Sequence, residues 1–105
     1  DSGGYSGSKT KMEFPAGTVL AARGFYAIVV DDAATAYPTG SNFGLSGSGE
    51  EVWLESAQGF IIDDVTFPAM SEATYSYGRK PDGSTSFFTF TTITKAASNN
   101  NAATL

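Results

Sequence analysis

Gly49-Glu-Glu-Val-Trp-Leu-Glu-Ser56, followed by Ala57-Gln-Gly59 and then Phe60-Ile-Ile-Asp-Asp-Val-Thr-Phe67, is the stretch whose reading decides the fold class. Its first part alternates, with Val52, Leu54 and Ser56 on one side and Glu51, Trp53 and Glu55 on the other. A period of two is that of a half-buried antiparallel strand. Ala57-Gln58-Gly59 is short enough for a hairpin turn, and Gly59 supplies a residue that tolerates positive φ. The second apolar run is then the return strand, stopped by Pro68. The two strands are expected to pair.

The same signals recur toward the C-terminus. Thr74-Tyr-Ser-Tyr-Gly78 places Tyr75 and Tyr77 on a common face, Pro81-Asp-Gly83 reads as a turn with Pro81 fixing φ at the first corner and Gly83 at the last, and Ser86-Phe-Phe-Thr-Phe-Thr-Thr-Ile93 reads as a strand. Residues 97–105, with three consecutive asparagines, are expected to form a disordered tail. Toward the N-terminus, Gly24-Phe-Tyr-Ala-Ile-Val-Val30 is almost continuously apolar and predicts a strand buried on both faces at the centre of a sheet. Lys11-Met-Glu-Phe14 predicts a short strand ended by the Pro15-Ala-Gly17 turn, and residues 33–42 a loop around Pro38 and Gly40. Residues 1–10, rich in Gly and Ser, predict a flexible entry. The domain proper would span residues 11–96.

Composition agrees with this pattern. Among 105 residues there are 24 Ser and Thr, 12 Gly and 14 aromatic residues, a bias toward pleated surfaces and turns. Cys and His are both absent. That removes the usual zinc site, the disulfide, the Cys nucleophile and the imidazole base of a Ser-His-Asp triad. No cofactor is expected. A formal charge of −5 opposes binding to nucleic acid, which takes a basic patch. No apolar run approaches the roughly 20 residues of a helical membrane span, so membrane insertion is not expected either.

Several segments in order resemble a lamin-tail domain: Phe14-Pro-Ala-Gly-Thr-Val-Leu20, Gly24 to Val30, Asn42-Phe-Gly-Leu-Ser46, Gly49 to Leu54, Gly59 to Val65, Tyr75-Ser-Tyr-Gly-Arg79, Pro81-Asp-Gly83 and Thr94-Lys-Ala-Ala-Ser-Asn99. The resemblance is nearest to the bacterial, secreted members of that family. It implies an all-β fold, an immunoglobulin-like antiparallel β-sandwich of about six to eight short strands. It also implies an accessory module of a larger exported protein, which is itself a hydrolase or nuclease in many such cases. The strands with which that family opens have no counterpart ahead of Asp1, so the sandwich is expected to be incomplete at its N-terminus, with an exposed sheet edge.

Candidate site residues fall into three groups. The acidic pairs Asp31-Asp32, Glu50-Glu51 and Asp63-Asp64 suggest general acid/base chemistry or calcium. Neighbours in a strand point to opposite faces, however, and no calcium-loop spacing occurs, so these pairs read as strand ends and solvated edges. No metal site and no catalytic residue are assigned. Asp63 and Arg79 suit a structural ion pair, or an Arg fork onto turn carbonyls. Trp53, Tyr75 and Tyr77 are candidate ligand contacts, since exposed aromatics beside acids can stack on sugar rings; the alternative for Trp53 is packing.

The function expected from the sequence is therefore a non-catalytic attachment module, monomeric, at the cell surface, in the periplasm or outside the cell. Its partners would be neighbouring domains of its own polypeptide and cell-surface glycan or protein. The alternative is a carbohydrate-binding accessory domain of a polysaccharide-degrading enzyme.

Overall fold

The structure, a computed structural model, describes residues 12–28, 30 and 44–105. The described part is all-β, with no helix and four strands: β1 (Gly49–Glu55), β2 (Ile61–Pro68), β3 (Ser76–Arg79) and β4 (Phe87–Phe90). They form two separate antiparallel two-stranded sheets, β1–β2 and β3–β4. The chain divides into two compact units. One comprises Asp1–Thr18 and Ile28–Ala69 and carries β1 and β2; the other comprises Val19–Ala27 and Met70–Leu105 and carries β3 and β4.

In the first unit the hairpin closes as its sequence dictates. Ser56 N–H donates to Phe60 O at 2.8 Å and Gly59 N–H to Ser56 O at 3.0 Å, leaving Ala57-Gln58-Gly59 as the loop. Gly59 takes φ 89°, the left-handed residue that follows the turn in a three-residue hairpin. The Ser56 hydroxyl reinforces it by accepting the Phe60 N–H at 3.0 Å.

Beyond the turn the ladder slips by one residue. Glu55 pairs with Ile61 but Leu54 pairs with Asp63, so Ile62 is an extra residue in β2. An unbroken ladder would set Val52 opposite Asp64. The bulge instead sets Val52 opposite Val65 and Glu50 opposite Phe67, restoring an apolar pair on one face. The same shift leaves Ile62 62% exposed and sets Leu54 opposite an aspartate, at 40% exposed. At the far end Gly49 faces Pro68 with φ 103°, and a Cβ there would sit 3.0 Å from Phe67 O. Only glycine fits that approach without strain.

In the second unit Tyr77 pairs with Thr89 and Arg79 with Phe87. The turn between the strands runs from Pro81, whose carbonyl accepts the Ser84 N–H at 3.1 Å. Asp82 and Gly83 are thus its corners and Gly83 has φ 74°, one residue later than a turn with Pro81 at the first corner. Phe90, 1% exposed, and Ala102, 7% exposed, are the fully buried apolar residues among those described.

Residues 97–105, the segment expected to form a disordered tail, hold backbone hydrogen bonds to β4 and the residue after it. Thr91 N–H donates to Ala103 O at 3.1 Å and Leu105 N–H to Thr89 O at 2.8 Å, which bridges Thr104 to Phe90 at the edge of β4. Short polar and small residues lack bulk but not backbone hydrogen-bonding groups.

Two expected strands are not formed among the described residues. Met12–Phe14 lies outside any strand, although the turn after it forms, with Thr18 N–H donating to Pro15 O at 3.1 Å. Residues 24–28 and 30 are likewise not in a strand. Gly24, Tyr26, Ile28 and Val30 are half-buried while Phe25 and Ala27 are exposed, an alternation rather than burial on both faces. An apolar run predicts burial, but membership of a sheet depends on partners elsewhere in the chain, which the run itself does not encode. The expectations for residues 1–11, for Asp31-Asp32 and for the loop at 33–42 lie outside the described residues.

Candidate functional site

A dense set of side-chain interactions lies in the second unit, around the β3–β4 turn. Two residues of period-two spacing, Tyr77 and Arg79, share a face of β3, and Phe87 of β4 lies on the same face. Tyr77 stacks on Phe87 with ring centroids 5.6 Å apart and planes 10° from parallel. The Arg79 guanidinium lies 4.4 Å from the centroid of Phe87, within cation–π range. Its Nη1 also donates to the Ser84 carbonyl, beyond the Pro81-Asp-Gly83 turn. Arg79 thus spans the turn while resting on an aromatic ring.

Asn99 organises the other side of the same turn. Its Nδ2 donates to Arg79 O at 2.8 Å, its Oδ1 accepts from the Thr94 hydroxyl, and its backbone N–H donates to Asp82 Oδ1 at 2.8 Å. Asp82 N–H in turn donates to Asn100 Oδ1 at 2.8 Å. Gly78 leaves the room for this, since a Cβ there would meet Asn99 Nδ2 at 3.1 Å. Lys80 Nζ donates to Ala102 O at 2.7 Å. Hydrogen bonds from the Ser98 side chain and the Asn99 backbone hold the Asp82 carboxyl below the ordinary aspartate range.

Of the residues singled out in the sequence, Tyr77 and Arg79 come together through Phe87, and Tyr75 is half-buried just ahead of β3. Trp53 and Asp63 belong to the first unit. Trp53 pairs with Asp64 across the ladder and is half-buried, its indole Nε1 shielded from solvent. Asp63 is exposed, and its Oδ1 accepts the Asp64 N–H at 2.9 Å. Glu50 accepts the Ser46 N–H at 2.6 Å, so this acid closes the turn that leads into β1. No group of three or more His, Cys, Asp and Glu among the described residues could hold a metal ion. No helix among them is long and apolar enough to cross a membrane.

Sequence reasoning missed Asn99, Asn100 and Lys80 as organisers of the turn, and Phe87 as the shared ring. The available signal was Asn itself, which bonds backbone groups in turns. Its partners, twenty residues away in the case of Arg79, are set by tertiary structure. No protein-family model matches the sequence, and no similar curated protein or solved structure is found.

Proposed function

We propose that this chain is a non-catalytic attachment module of the lamin-tail type, an immunoglobulin-like sandwich that joins neighbouring domains of a larger exported bacterial protein. The observation that carries the reading is the apolar surface. Val19, Leu20, Phe60, Ile62, Ile93 and Leu105 are each more than half exposed, while only Phe90 and Ala102 among the described residues are fully buried. Large apolar side chains left exposed in each unit are available for burial against other protein. The neighbouring domain of the same polypeptide is the occupant, since an appended module meets that domain at high effective concentration.

The carbohydrate reading draws less support. Tyr77 already stacks on Phe87, and the polar edge of Trp53 is shielded. Restoring the flanking residues of the parent polypeptide tests the attachment reading. The extended protein is expected to melt higher and to bind less of a fluorescent apolar dye than the chain alone. Unchanged melting and dye binding would refute it.

A further inference from the structure

We propose that Asp82–Gly83 is a site of spontaneous isoaspartate formation, held unreactive in the folded chain by the bonds that Ser98, Asn99 and Asn100 make to Asp82, and released when those bonds open. The site belongs to one turn of the second unit and is independent of the attachment reading. Asp82 and Gly83 are both exposed, and a Cβ built on Gly83 would meet nothing within 4 Å, so the surroundings of the Gly83 nitrogen are open. That nitrogen closes a five-membered ring when it attacks Asp82 Cγ. The N–Cγ bond forms, a Cγ–O bond breaks, and the hydroxyl of the neutral acid leaves as water with the amide proton. Solvent water then opens the ring. Where it adds to the main-chain carbonyl carbon of Asp82, the bond from that carbon to Gly83 N breaks, the nitrogen regains its proton, and the backbone runs on through Cβ and Cγ. One water is lost and one gained, so the mass does not change.

In the folded chain the contacts of Asp82 oppose ring closure. Its Oδ1 accepts the Asn99 N–H at 2.8 Å, the Ser98 side chain bonds the same carboxyl, and its own N–H donates to Asn100 Oδ1 at 2.8 Å. Swinging Cγ onto the Gly83 nitrogen turns the carboxyl away from Asn99 and breaks that bond. The same bonds keep the carboxyl ionised, and a carboxylate has no hydroxyl to lose. Reaction therefore proceeds from the opened turn, in proportion to the fraction of molecules that have it open. The product is one-way in its effect. A methylene enters the turn that Ser84 N–H closes on Pro81 O at 3.1 Å, the carboxylate moves onto Cα, and Asn99 N–H loses its acceptor.

The test incubates the full chain near neutral pH, folded in buffer and unfolded in guanidinium chloride, in heavy-oxygen water. Isoaspartate at Asp82 is counted by electron-transfer mass spectrometry of the tryptic peptides, with the heavy oxygen as a second mark of ring opening. The unfolded chain is expected to form it, and the folded chain to do so about tenfold or more slower. Gly83→Ala, whose methyl crowds the attacking nitrogen, should suppress the reaction in the unfolded chain. Ser98→Ala and Asn100→Ala each remove one bond to Asp82, so each should raise the folded-chain rate by about threefold to tenfold, as expected for one hydrogen bond. Hydrogen exchange at the β3 and β4 amides should stay unchanged in both, which separates opening of the turn from loss of the fold. The two variants act on different bonds, so if one unfolds the other decides. Equal rates in the folded and unfolded chain would overturn the proposal. So would an unfolded chain that forms no isoaspartate at Asp82, or folded variants that react no faster than the parent.

Discussion

Replacing Asn99 by alanine removes two part-buried side-chain hydrogen bonds, from Nδ2 to Arg79 O and from the Thr94 hydroxyl to Oδ1. The backbone bond from Asn99 N–H to Asp82 survives the change. A typical net hydrogen bond contributes about 1 kcal/mol, and stranding its buried partner costs more, so Asn99→Ala is expected to lose about 2 to 3 kcal/mol. For a domain near this size that is a fall in Tm of roughly 10 °C or more. Thermal and urea unfolding, followed through the amide resonances of β3 and β4, measure it. Asn101→Ala is the control, since Asn101 is exposed in the same run of asparagines. The loss should appear together with faster hydrogen exchange at Thr91 and Leu105, because Asn99 anchors the segment that pairs there. If Asn99→Ala and Asn101→Ala agree within about 0.5 kcal/mol, the usual spread for surface substitutions, the clamp does not hold the C-terminal residues.

Three other outcomes follow from the geometry. The carboxyl of Asp82 is held below its ordinary value, near 3.9, so its bonds stabilise the folded chain above that pH, and the contribution disappears as pH falls through the lower folded-state value. Asp82→Asn should flatten the acid limb of the Tm profile, and an unchanged limb would show that another group governs it. Gly49→Ala combines a positive φ with a 3.0 Å approach to Phe67 O, whereas Gly83→Ala meets open space at its positive φ. Strain alone costs about 1 to 2 kcal/mol, so the first substitution should cost that and more, the second that at most, as read by urea unfolding. Deleting Ile62 should leave Val52 opposite Val65 with a continuous ladder, at little cost in stability; cross-strand contacts between those valines in NMR spectra check it, and their loss would show that the bulge is needed for more than register.

The legible parts of this protein were those whose causes are local. The Ser56–Phe60 hairpin is written in a three-residue gap ending in glycine, and the absence of helix among the described residues in a surplus of Thr, Ser, Gly and aromatics. Pro81-Asp-Gly83 announces a turn, although placing its corners takes the hydrogen bond from Ser84, which falls one residue later than the sequence pattern suggests. Ile62 shows the limit within a single hairpin. Nothing in Phe60-Ile-Ile-Asp says which isoleucine is surplus, and the choice is made by the pairing of Val52 with Val65 on the opposite strand.

What the sequence by itself determined is the strand-rich character of the described residues, the first hairpin, the turn after Pro81 and the exclusion of Cys- and His-based chemistry, because periodicity, turn residues and residue inventory are properties of neighbours along the chain. What only the tertiary structure decided is the bridging of Thr104 to Phe90 and the joining of Tyr77, Arg79 and Phe87 in one stack. It also decided that the apolar run from Gly24 is not a central strand in the described residues. Each of those outcomes depends on a hydrogen-bonding or packing partner distant in sequence, and a residue's own chemistry states what partner it needs without stating which one it meets.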